Sequence, residues 1–205
     1  MPADHLTTSR LEAFSDGVIA VIITIMVLDL KVPARDISNA AGLHQSLPLV
    51  LVYLLSFVQT GIYWVNHHYL LDDLDRVTHG ILWSNLALLF SLSLIPFATN
   101  WVGVRGISPF SIALYGATCA FPGIPWMVLS TLISHRTPNP PASSFGKQLA
   151  SFLLYVVSIP MAYVSPYISI GMIIIVGIIW LLPPRKIVEL TRPSRTDPPA
   201  PNALH

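Results

Sequence analysis

The sequence predicts an all-α membrane protein of six transmembrane helices, and three observations lead there. Hydrophobic residues make up 53% of the 205-residue chain, charged residues only 10%, and mean hydropathy is +0.65. A soluble domain carries about 25% charged residues, so little of this chain suits water. Six apolar stretches, each near the length of about 20 residues that crosses a bilayer, can be laid out between turn residues. The connections left over are short, with no room for a separate soluble domain.

The spans run 11–32, 47–70, 79–101, 108–134, 146–164 and 166–182. Pro33, Gly42 and Pro48 separate the first two, Gly103 and Gly106 follow the third, and Thr137-Pro138-Asn139-Pro140-Pro141 closes the fourth. Ser165-Pro166 divides the last two, and the sixth sits near the lower length limit for crossing. If it does not cross, the termini fall on opposite sides. Pro96, Pro122, Pro125 and Pro160 lie inside spans, which membrane helices tolerate as kinks where neighbours satisfy the freed carbonyls. Residues 1–184 therefore form one six-helix transmembrane domain. Residues 185–205 are a basic, proline-rich tail expected to be disordered. No extended internal repeat is evident. Asp4 and Glu12 precede the first apolar stretch and Asp29-Leu30-Lys31 follows it, so a cleavable signal is not expected and the first helix stays.

Orientation follows from lysine and arginine. With six spans, Arg10, Arg76, Arg136, Lys147, Arg185, Lys186, Arg192 and Arg195 share one side, against Lys31, Arg35 and Arg105 on the other. This excess puts both termini in the cytosol.

The first span opens with Arg10-Leu11-Glu12-Ala13-Phe14-Ser15-Asp16-Gly17. Charges near the bilayer interior are costly and face protein or water rather than lipid. Asp16 falls about 8 Å in from the cytosolic end at 1.5 Å per residue. The second span returns Trp64, Asn66, His67 and His68 to that depth, and the third begins there with Trp83 and Asn85. Polar groups from three helices thus share one layer, where each needs a partner. At about 100° per residue, Phe14, Gly17, Val21, Thr24, Ile25 and Leu28 form a stripe, with Asp16 about 140° from Val21 and Ser15 about 120° the other way. The polar motif is expected to face neighbouring helices. The apolar stripe faces lipid, a core or something else; periodicity alone leaves this open.

Other residues are weighed the same way. His67 and His68 point about 100° apart and cannot chelate one ion as an i, i+4 pair does. No metal site is expected there. His68, one turn after Trp64, is expected to join the Arg10–Ser15–Asp16 layer. Asp29, at the outer end of the first span, reads equally as a cation-attracting mouth or as a carboxylate paired with Lys31. Asp72, Asp73 and Asp75 read as a solvated loop, since calcium loops need a longer pattern with glycine. Cys119, the single cysteine, reads as a packing residue.

The residues Arg10, Phe14, Ser15 and Asp16 form an Arg-x-x-x-Phe-Ser-Asp motif. With Trp64-Val65-Asn66-His67-His68, Asn85 and Ser93-Leu94-Ile95-Pro96-Phe97-Ala98-Thr99, the chain resembles bacterial members of the lysosomal potassium channel family, the transmembrane protein 175 type. The resemblance implies a homotetramer whose first helices line a central pore in the bacterial inner membrane. No Thr-Val-Gly-Tyr-Gly filter occurs in the sequence. Instead the family places a constriction on apolar layers of the first helix, which carry over to Val21, Ile25 and Leu28, with a hydroxyl at Thr24. The family commonly has isoleucine or leucine at the first layer; Val21 is smaller, so either the constriction is wider or Ile25 and Leu28 form the tightest ring. Such rings gate by dewetting. Dehydrating potassium costs less than dehydrating sodium, so modest potassium selectivity is expected. Arg10, Phe14, Ser15, Asp16, Trp64, His68 and Asn85 are expected to form a structural network. Potassium is the expected permeant ion, with no cofactor and no nucleic-acid partner; the other partners are further copies of the chain and lipid.

The competing reading is a proton-coupled secondary transporter using Asp16 and His67 or His68. Transporters usually bind at the midplane within repeats, and neither feature is evident. An enzyme is not expected, since no nucleophile–base pair, metal signature or phosphate loop appears.

Overall fold

The computed structural model describes residues 7–30, 38–72, 74, 76–136 and 145–181. All regular structure among them is helical: α1 (Thr8–Val27), α2 (Asn39–Leu71), α3 (His79–Ser93), α4 (Ile95–Arg105), α5 (Pro109–Ala120), α6 (Gly123–Ser134), α7 (Phe145–Val164) and α8 (Pro166–Leu181). The expected tail, the Lys31–Arg35 side of the charge count, Asp73, Asp75 and most of the 135–145 loop lie outside the described residues.

Among the described residues, four helical rods are long and apolar enough to cross a membrane: Asn39–Leu71, His79–Arg105, Pro109–Ser134 and Phe145–Val164. α8 is apolar throughout but only 16 residues long. α1 has 20 residues yet carries Arg10, Glu12 and Asp16, and these charges keep it out of that group.

Several expected boundaries move, each for a local reason. α2 begins at Asn39, not 47, because the Ser38 hydroxyl accepts the Ala41 N–H and caps the helix there. Gly42 and Pro48, read as breakers, lie inside it. At 1.5 Å per residue, its 33 residues reach about 50 Å, against a hydrocarbon core of about 30 Å. α1 stops at Val27 rather than 32. The third span divides at Leu94, where Pro96 supplies no N–H to the preceding turn and α4 restarts with proline in its first turn. The fourth divides at Phe121–Pro122 for the same reason.

The interior holds two apolar clusters. In the first, Leu11, Ile19, Ile22 and Met26 of α1 meet Leu70 and Leu71 of α2, Ile81, Leu88 and Leu92 of α3, and Trp126, Leu129 and Ile133 of α6. In the second, α2, α4, α5, α7 and α8 pack around Ile112, Tyr115, Cys119, Tyr155 and Ile173. Polar side chains tie this second group together. The Ser56 hydroxyl bonds those of Thr99 at 2.7 Å and Tyr115 at 2.9 Å, and Gln59 bonds the Tyr155 hydroxyl. In lipid, where apolar burial between helices gains little, such bonds and close packing hold helices together.

Candidate functional site

α1 is a two-faced helix. Its buried residues are Leu11, Ser15, Ile19, Ile22 and Met26, at spacings of three and four, so one stripe packs inward. A second stripe of Phe14, Val21, Ile25 and Leu28 is exposed, Leu28 most of all at 76%. Leu28 itself is the C-cap, still in helical conformation. Beside this stripe lies an open groove of about 680 Å³, lined by Ala13, Phe14, Gly17, Val21 and Ile25 of α1 and by Ser93 and Pro96.

Thr24 lies exposed on the same face. Its hydroxyl donates to its own helix, to the Ala20 carbonyl at 2.9 Å or the Val21 carbonyl at 3.1 Å. With the hydrogen held inward, the oxygen lone pairs are left on the exposed side of the helix.

Hydrogen bonds hold the other flank of α1. The Trp64 indole N–H donates to Asp16 Oδ1 at 2.9 Å. One turn nearer the α1 N-terminus, His68 Nδ1 meets Glu12 Oε1 at 2.8 Å. Glu12 and Asp16 are four apart on α1, Trp64 and His68 four apart on an antiparallel α2, so the two contacts form successive rungs. Deeper in, the Asn85 amide N–H donates to Ser15 Oγ at 2.9 Å, while its oxygen meets His67 Nε2 at 2.7 Å. The Ser15 hydroxyl donates to the Leu11 carbonyl at 2.8 Å. Ser15, His67 and Asn85 are all buried. A final contact, from the Thr8 hydroxyl to the Leu74 carbonyl at 2.7 Å, anchors the start of α1.

Three placements correct the expected network. His67, not His68, joins the Ser15 layer; His68 reaches α1 through Glu12, a residue the sequence did not single out. The Arg10 side chain is exposed and meets no member of that layer among the described residues; only its backbone N–H is engaged, donating to the Thr7 carbonyl at 3.0 Å. Phe14 is 55% exposed on the groove face, because it falls on the Val21 side of the helix rather than the Asp16 side. Asp29 is half-buried, and its backbone N–H donates to the Met26 carbonyl at 3.3 Å. Lys31, its expected partner, lies outside the described residues. No group of three His, Cys, Asp or Glu side chains is placed to hold a metal ion among the described residues.

The sequence model of the endosomal/lysosomal potassium channel TMEM175 family matches residues 10–96, which contain the groove face of α1 and the rungs binding it to α2 and α3. A potassium channel from Chryseobacterium sp. (strain P1-3) is 43% identical over 188 residues, covering 89% of this chain and 96% of that protein. The chain belongs to the TMEM175 family. The family's likeness extends to structure: a lysosomal potassium-selective channel TMEM175 homolog from Chamaesiphon minutus, solved by crystallography, superposes with a TM-score of 0.73 at 28% identity, covering 85% of this chain and 96% of the other. The endosomal/lysosomal proton channel TMEM175 of Bos taurus is 38% identical over 98 residues, 42% of this chain and 20% of that protein. This TMEM175-family chain is therefore an integral membrane protein of an ion-channel family, and that family is not one of enzymes.

Proposed function

We propose that the protein is a potassium-permeable channel of the bacterial inner membrane, a homotetramer of six-span subunits with both termini cytosolic. The α1 helices of four copies meet around an axis and turn Val21, Ile25 and Leu28 inward as apolar rings. One observation carries this reading: α1 leaves a continuous apolar stripe unpacked while hydrogen bonds fix its opposite flank to α2 and α3. A helix held in that rotation presents the same side chains in every copy.

The rings work as a hydrophobic constriction. Where the conduit is narrow, water leaves and conduction stops; a small widening restores the water column. An ion that passes loses part of its hydration, and apolar side chains return none of it. Thr24, one turn from the constriction, supplies oxygen lone pairs because its hydrogen is spent on its own helix. Potassium, which sheds water more readily than sodium, passes preferentially. Asp29, near the far end of α1, concentrates cations if four copies gather there.

The test is reconstitution with bi-ionic recording. Reversal potentials should favour potassium over sodium modestly, and Thr24→Val should reduce that preference while leaving conduction. Unchanged selectivity in Thr24→Val removes the hydroxyl from the mechanism. No current at all from reconstituted, folded protein removes the channel reading.

A second reading has its own support, since the Bos taurus relative is named a proton channel. Proton current through the same conduit would appear as a reversal potential that follows a pH gradient. A coupled transporter built on Asp16 and His67 or His68 is less well supported, because Asp16, His67 and His68 are each engaged in a contact with another helix.

A further inference from the structure

α7 buries an unusual face for an apolar membrane helix. Its inward residues are Gln148, Ser151, Tyr155, Ser158 and Ala162, so four of the five carry polar groups. The first three border a cavity between α2, α6, α7 and α8, which Gln59 and Trp126 also line. This cavity is distinct from the groove along α1, with which it shares no lining residue.

Two of its walls carry buried polar atoms without partners. Gln59 is 3% exposed, and its amide nitrogen donates to the Tyr155 hydroxyl while Oε1 has no partner. Exchanging the two ends of the amide would only move the unpartnered atom to nitrogen. Trp126 is 5% exposed, and its indole N–H is likewise unpartnered. A buried donor or acceptor left without a hydrogen bond keeps its full desolvation penalty, and native structures rarely leave such groups unsatisfied.

We propose that this cavity is a water site inside each subunit, whose ordered waters complete the hydrogen bonding of Gln59 and Trp126. Its volume decides the class of occupant. The cavity measures about 30 Å³; a water needs about 10–15 Å³ by the same kind of measure, and a benzene-sized ring about 150 Å³. The cavity has room for a water or two. The lining meets the other requirement, since a buried water needs two to four polar partners and Gln59, Trp126, Ser151 and Tyr155 surround the space. Trp180 donates to the Ser151 hydroxyl at 2.9 Å, fixing that wall.

Radiolytic hydroxyl-radical labelling of the full chain in lipid nanodiscs tests this, because bound water activated by X-rays oxidises side chains beside it however deeply they are buried. Tyr155 and Tyr115 are a matched pair, both nearly inaccessible, of which only Tyr155 lines the cavity. Labelling of Tyr155 and Trp126 should exceed that of Tyr115 several-fold. Gly177→Ala narrows the space: an added Cβ would stand 3.9 Å from Gln59 Oε1 and 4.0 Å from Ile62 Cδ1, ordinary contact without a clash. Tyr155 labelling should fall several-fold in that variant, and also in Trp126→Phe, which keeps an aromatic ring but lacks the N–H. Tyr155 labelled no more than Tyr115, or undiminished in both variants, overturns the proposal. The readout involves no current, so it stands or falls apart from the channel reading.

Discussion

Asn85 is the residue through which the α1 anchor passes. One amide satisfies two buried partners on two other helices, Ser15 and His67. Asn85→Ala leaves both without it, and an orphaned buried polar group costs about 1–3 kcal/mol. Trp64→Phe removes a single bond to a half-buried carboxylate, and interhelical hydrogen bonds in membrane proteins average about 0.6 kcal/mol. In detergent melting, Asn85→Ala should therefore destabilise clearly more than Trp64→Phe; the reverse order would show that the exposed rung, not the buried one, holds the helix. The sequence carried part of this site. Asp16, Trp64 and Asn85 were legible because helix depth and orientation put them in one layer. Choosing between adjacent histidines was not, because a rotation of about 100° decides it, and packing of α2 against α1 and α4 sets that rotation. Glu12 had a readable signal that went unused: its four-residue spacing from Asp16 matches that of Trp64 and His68 on an antiparallel neighbour.

At the scale of the helix, α1 shows how a short, charged segment can still be fixed in a membrane. Apolar residues bury one stripe, polar residues bond one flank, and the remaining face is free. The wheel separated these faces from sequence alone and put Phe14 with the exposed stripe, where it lies; only its membership of the motif suggested the polar network. α5 and α7 show a different device. Gly116 on α5 lies so close to α7 that a Cβ there would stand 2.9 Å from the buried Ser158 hydroxyl. Gly116→Val should consequently lower the yield and melting temperature of the assembled protein. Gly146→Ala should leave both unchanged, since nothing lies within 4 Å of its Cβ position and it lies off the α1 face; equal loss in both variants would contradict the close-approach argument. Helix ends were the least legible elements. Gly42 and Pro48 are strong breakers by composition, yet the Ser38 cap and the surrounding apolar residues carry α2 through both.

For the molecule as a whole, composition, loop lengths and six apolar stretches gave the helical membrane architecture, and the Phe-Ser-Asp and Trp-x-Asn-His-His blocks gave the family. The proposed assembly does not follow from one chain, because the face that copies would share is one a single subunit leaves bare. Mass measurement in mild detergent should give about four times the 22.5 kDa of one chain; a monomer that still conducts would rule out a shared central pore. The polarity of the constriction offers a second check. Ile25→Asn places an amide where water is otherwise expelled, and resting current should rise several-fold, as wetting of a hydrophobic gate requires.

The most direct test asks which surface the ions touch. Single cysteines replacing Val21 or Ile25 on α1, and Ile175 on the exposed face of α8, can be challenged with silver ions during recording; the native Cys119 is buried. Silver should block current in the Val21→Cys and Ile25→Cys channels and spare Ile175→Cys. Block at Ile175→Cys, with Val21→Cys and Ile25→Cys untouched, would place the conduit elsewhere and contradict the account.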